Sequence, residues 1–70
     1  MSDVGSARRA KEQLKNDIGA EPFCAGVGVE REDGIGFVVR VNVRPGTLAE
    51  AKARVPARIG DVVVKLVEAD

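Results

Sequence analysis

Between Phe23 and Val43 apolar residues recur at every second position in two runs, PFCAGVGVE and GFVVRVNVR, joined by the charged turn REDGIG. Period-two alternation on either side of a glycine-containing turn predicts a β-hairpin. In the first run Phe23, Ala25, Val27 and Val29 share one face, and Cys24, Gly26, Gly28 and Glu30 the other. In the second, Phe37, Val39, Val41 and Val43 alternate with Val38, Arg40, Asn42 and Arg44. The first set of each run is assigned to the core. Directly paired residues lie on one face, so their numbers must sum to an even value; a two-residue Asp33-Gly34 turn would pair Val29 with Val38 and bury the wrong side. A three-residue loop over Glu32, Asp33 and Gly34 pairs Arg31 with Ile35 and Val29 with Phe37. It also puts Gly34 where a left-handed residue is wanted.

From Ser6 to Ile18 the period changes. Ala7, Ala10, Leu14 and Ile18 fall at helical spacing while Arg8, Arg9, Glu12, Lys15 and Asp17 point elsewhere, which predicts an amphipathic helix with Ser6 as N-cap. Gly19 stands where a left-handed C-terminal residue is common, and Pro22 prevents continuation. After Pro45-Gly46 the run Thr47-Leu48-Ala49-Glu50 has the pattern of a capping box and predicts a second helix, with Leu48, Ala51 and Val55 buried. That helix ends at Val55-Pro56, because a residue before proline is pushed out of the helical region. Ala57 to Gly60 reads as a linker. Asp61 to Glu68 reads as a last strand, with Val62, Val64 and Leu66 toward the core and Val63, Lys65 and Val67 away from it.

The order is therefore α-β-β-α-β, an α/β (α+β) two-layer sandwich with both helices on one face of a three-stranded sheet. The spatial order 2-1-3 is preferred, because it makes every neighbouring pair antiparallel; a last strand parallel to the second is the alternative. One domain spans residues 1–70, with residues 1–5 expected to be disordered. Met1 favours a complete protein over a fragment.

Seventy residues can bury only about 60% of the surface of the unfolded chain, so the core is small and association with another chain is a natural supplement. One cysteine forms no internal disulfide, and with no histidine there is no zinc or iron–sulfur ligand set. Eleven basic against eleven acidic side chains leave no electrostatic footprint of a general nucleic-acid binder. No apolar stretch approaches the ~20 residues of a membrane span, and MSDVGSARRAKEQ has no apolar core of a secretory signal, so the expectation is a cytoplasmic, bacterial protein that avoids membranes.

Candidate chemistry is sparse. Cys24 has no histidine to activate it and reads as structural. Glu30, Glu32 and Asp33 are interrupted by Arg31 and read as a solvated turn rather than a metal site. Arg8, Lys11 and Lys15, interleaved with Glu12 and Asp17, read as a solvated helix face. The glycines of GVGV lie inside a strand, where they form no phosphate loop, and both phenylalanines have core parity, so no aromatic platform faces outward for RNA.

The pattern GVGVEREDGIGFVVRVNV followed by a helix and VPARIGDVVVKLVE resembles a short α/β module that precedes trypsin-like serine peptidase domains in some bacterial proteins. The matching positions are Gly26, Val27 and Gly28, then Val39, Val41 and Val43, then Pro56, Ile59, Gly60 and Val63, over roughly Ala7 to Glu68. The resemblance implies a peptidase-associated role. The element order is also similar to the propeptide-type inhibitors of subtilisin-like proteases, although that family begins with a strand and MSDVGSA makes a poor one.

What remains unusual is the sheet face away from the helices. Gly26, Gly28, Val38, Arg40, Val63, Lys65 and Val67 lie on it, together with Cys24 and Asn42. Two glycines leave one strand flat and the valines make an apolar patch, so this face is the candidate docking surface. The expectation is a non-catalytic protein-interaction domain without cofactors or metals, whose partner is another protein or a second copy; the runner-up is a protease-associated or inhibitor-like module.

Overall fold

The computed structural model describes residues 3–69. Six elements follow one another: α1 (Val4–Ile18), β1 (Cys24–Glu32), β2 (Gly36–Val43), α2 (Leu48–Arg54), β3 (Arg58–Ile59) and β4 (Val62–Glu68). They form an α+β domain with a four-stranded mixed sheet in the order β1-β2-β4-β3. The radius of gyration, 11.3 Å, matches the roughly 11 Å of a compact chain of this length, so the elements form one body.

α1 starts earlier than expected. Asp3 is the N-cap, its carboxylate accepting a 2.7 Å hydrogen bond from the Ser6 N–H, so Ser6 lies within the first turn. That bond, with the help of the Ser6 hydroxyl, holds the Asp3 carboxyl below its ordinary value. Asp3 as cap, then Val4 and Gly5, thus open α1; residues 1 and 2 lie outside the described residues. Ala7, Ala10, Leu14 and Ile18 are buried, as their spacing requires. Gly19 keeps right-handed backbone angles rather than the left-handed ones expected. Its reason is close approach, since a side chain there would collide with the Lys15 carbonyl oxygen.

The hairpin keeps the expected parity in a register moved toward the second strand. Val29 pairs with Val39, Val27 with Val41, and Glu32 with Gly36, so the three-residue loop is Asp33 to Ile35, one position later than expected. The Ile35 N–H donates to the Glu32 carbonyl at 3.2 Å, and Gly34, at φ 82°, takes the third position of that turn, where a positive φ is required. At the other end of β1 a bulge between Cys24 and Gly26 inserts one extra residue. Ala25 is exposed, and Cys24 turns inward beside the fully buried Phe23, the reverse of the strict alternation.

α2 begins after Thr47 as expected, but without the capping-box bond. The Thr47 hydroxyl instead donates to the Arg44 carbonyl at 2.6 Å, tightening the Pro45-Gly46 turn. Ala51 and Val55 join Ala7, Leu14 and Phe23 in one core against Val39, Val41 and Val43, so both helices cover the same sheet face.

Two features of the sheet differ from expectation. β4 pairs with β2, parallel, with Val39 opposite Val64 and Val41 opposite Leu66, so the 2-1-3 order is wrong and the alternative is correct. The physical reason is burial on both faces. β2 and β4 carry continuous apolar runs, Phe37–Val39 and Val62–Val64, suited to interior strands, whereas β1 carries glycine and glutamate and goes to the edge. The supposed linker contains β3, which pairs antiparallel with β4 through Arg58–Val63 and Ile59–Val62. The two-residue Gly60-Asp61 loop between them has a positive φ only at Gly60, 58°, the arrangement of a type II′ hairpin turn.

Candidate interaction surface

Pairing places the residues of the uncovered face in rows. Glu30 lies beside Val38, Gly28 beside Arg40 and Lys65, and Gly26 beside Asn42 and Val67. Parity thus brings six of the seven candidate residues to the surface, where Gly26, Gly28, Arg40, Val63, Lys65 and Val67 are half-buried. Val38 is different, with no exposure at all. It is not part of the helix-side core, so something on its own face covers it.

That cover is charged. Lys65 on β4 is ion-paired with both Glu30, at 3.4 Å, and Glu32 on β1. To reach β1 the lysine stem has to cross β2, and Val38, the residue paired with Glu30, lies in its path. Arg40 adds a 3.1 Å bond to Glu30 and donates a 3.1 Å bond from its Nε to the side-chain Oδ1 of Asn42. The aliphatic stems of lysine and arginine shield apolar surface while their heads stay wet. Val38 is therefore buried beneath a salt-bridge layer. Glu30 and Glu32 belong to this layer; of the three acidic residues read as solvated, only Asp33 is exposed.

The charges respond to one another. The hydrogen bond from Arg40, with Lys65 beside it, holds the Glu30 carboxyl below its ordinary 4.5. The hydrogen bond to Glu32, then that to Glu30, holds the Lys65 ammonium above its ordinary 10.5. Burial opposes both shifts and is outweighed. The signal for this layer was present in the alternation, which puts Glu30, Arg40 and Lys65 on one face, but strand order had to be known before their heads could be seen to meet.

The glycines divide by cause. Gly26 adjoins the bulge, and a Cβ there would meet only the Asn42 amide nitrogen, at 3.9 Å. Gly28 has no such neighbour: a Cβ would find nothing within 4 Å, and its φ is not positive. Nothing inside the described chain asks for glycine at 28. β1 is also the sheet's longest strand and its edge, paired on one side only. At the opposite edge β3 is two residues long.

Cys24 is a buried free thiol, and no cluster of three or more metal-ligating side chains occurs among the described residues. No described helix is long and apolar enough to cross a membrane. No family model, curated protein or solved structure matches this chain.

Proposed function

We propose that this protein is a small non-catalytic interaction domain whose docking surface is the β1 side of the uncovered sheet face. The observation that carries the reading is Gly28, an interior strand glycine required by neither backbone angle nor space. Glycine in a strand weakens it, and a common reason for keeping one is the close approach of another chain. Gly26 beside it extends the flat strip, and the single-sided pairing of β1 leaves backbone donors and acceptors for a partner. The centre of the face, sealed by Lys65 and Arg40, plays the part of a polar rim, while Val63 and Val67 flank it on β4.

The test is a bulky residue at the vacant position. Gly28→Val has room for its side chain and the higher strand propensity, so the fold should persist or tighten by several tenths of a kcal/mol. Association measured by sedimentation across a concentration range, and by footprinting of β1 amides with native partners, should be lost. If Gly28→Val leaves self-association and every footprint on β1 unchanged, the surface is ordinary exposed sheet and the reading fails.

A further inference from the structure

The edge of β1 is overlooked by one flank of α1, and that flank carries the character of the occupant. Lys15 lines a groove of about 330 Å³ with Gly19, Ala20 and the first half of β1, Cys24 to Val27. The opposite flank of the helix, with Ser6, Arg9 and Gln13, lies over Ile59 to Val62 at the other side of the sheet. Residues four and seven positions before Lys15 share its stripe, so Lys11 and Arg8 also overlook the β1 edge. Among the described residues none of these three cations has an ion-pair partner, whereas Arg40, Arg54 and Lys65 all do. An unpaired row of positive charge thus stands along an unpaired strand edge in a chain of zero net charge.

Resting on the interaction reading above, the geometry points to an extended acidic segment of a partner protein that adds as a further strand to β1. Its backbone would take the outward N–H and C=O groups of β1, the usual source of affinity in strand addition. Side chains alternate across a strand. Those on the helix side would meet Arg8, Lys11 and Lys15 and complete the cover of Val27 and Val29, which are only partly buried against the core. Aspartate and glutamate suit that side. Those on the other side would lie over Gly28 and Gly26, where the missing side chains leave room for larger groups. A second copy is the poorer occupant, because pairing β1 with itself about a two-fold axis sets the two basic flanks across the seam from each other, and like charges so placed repel.

The probe is a capped nine-residue peptide of alternating glutamate and valine, titrated into the isotopically labelled full chain. Its controls are alternating lysine and valine, the glutamate peptide N-methylated at every second residue, and oligo-dT. The glutamate peptide should shift the amides of Val27 and Val29 and slow their exchange, with affinity falling as salt is added. The lysine and N-methylated peptides should not bind. Lys15→Glu and Lys11→Glu should each weaken binding on the order of tenfold by turning attraction into repulsion. The proposal is overturned if both peptides bind equally, if the shifts fall away from β1, or if oligo-dT competes at the same amides, which would make the flank a phosphate site. Wild type that ignores the peptide yet dimerises through β1, with Gly28→Val monomeric, would overturn the acidic occupant and leave the interaction reading standing.

Discussion

Val38 and Val39 are neighbours in β2, point to opposite faces and are both fully buried, but by different means. Val39 lies under the apolar layer of α1 and α2, with Leu14, Phe23 and Ala51 in the same cluster. Val38 lies under the stem of Lys65 and the salt bridges to Glu30 and Glu32. A small domain with only enough helix for one sheet face thus keeps its central strand dry on the other by laying charged side chains across it. The first kind of cover is rigid and close-packed, and a cavity in it stays open. The second is flexible and can settle into a gap.

The comparison can be broken most directly by truncating one valine on each face. Val41→Ala removes buried methyl groups beneath the helices and should cost about 2–3 kcal/mol, two methylene equivalents plus a cavity. Val38→Ala should cost less, roughly 1–2 kcal/mol, because the lysine stem can collapse onto the smaller side chain. Urea unfolding of both variants measures the difference, and equal losses would mean that the two covers are equally rigid.

The register that assigns residues to faces is set at the hairpin turn. Gly34 is at positive φ with no neighbour near its would-be side chain, so Gly34→Ala should lose about 1 kcal/mol through backbone strain alone. Asp33→Ala should lose less. Chemical denaturation that gave the same loss at both positions would contradict a turn that needs the positive φ of Gly34.

At the charged cover itself, Lys65→Met keeps most of the stem and removes the charge, whereas Lys65→Ala removes both. Lys65→Met should lower the thermal midpoint slightly at low salt and not at high salt, since the pairs are exposed and screened. Lys65→Ala should lower it at either salt concentration, because Val38 becomes wet. A midpoint unchanged in Lys65→Ala would mean that something other than the lysine stem protects Val38.

The smallest effect is the pH dependence of the same layer. Glu30 has a lowered value in the folded state, so its contribution is complete above 4.5 and is lost as pH falls through the folded value below it. Lys65 has a raised value, so its contribution is complete below 10.5 and is lost as pH rises through the folded value above it. The stability difference between wild type and Lys65→Met should be flat between these limits and shrink in alkali. A difference that grew in alkali would reverse the assigned sign.

Much of the fold was legible in the residues because it rests on local periods. Spacing of 3.6 identified the buried stripe of α1, spacing of 2 separated the core valines of β2 and β4 from their outward neighbours, and the even-sum condition gave the length of the hairpin loop and the parity of its strands. Pro56 ended α2 where a proline must. Local signals also exist for the two features in which the sheet differs from expectation: Gly60-Asp61 between short extended runs is a hairpin pattern, and the unbroken apolar runs of β2 and β4 are those of interior strands. What the tertiary structure alone decided was which equivalent local solutions were used. Asp3 took the cap from Ser6, the turn slid by one residue because both Gly34 and Gly36 tolerate positive φ, and the bulge at Ala25 reversed Cys24. The parallel placement of β4 against β2, and with it the reach of Lys65 across Val38 to two carboxylates on β1, depends on pairings between residues far apart in the chain. Periodicity says which face a side chain is on; only strand order says what stands beside it there.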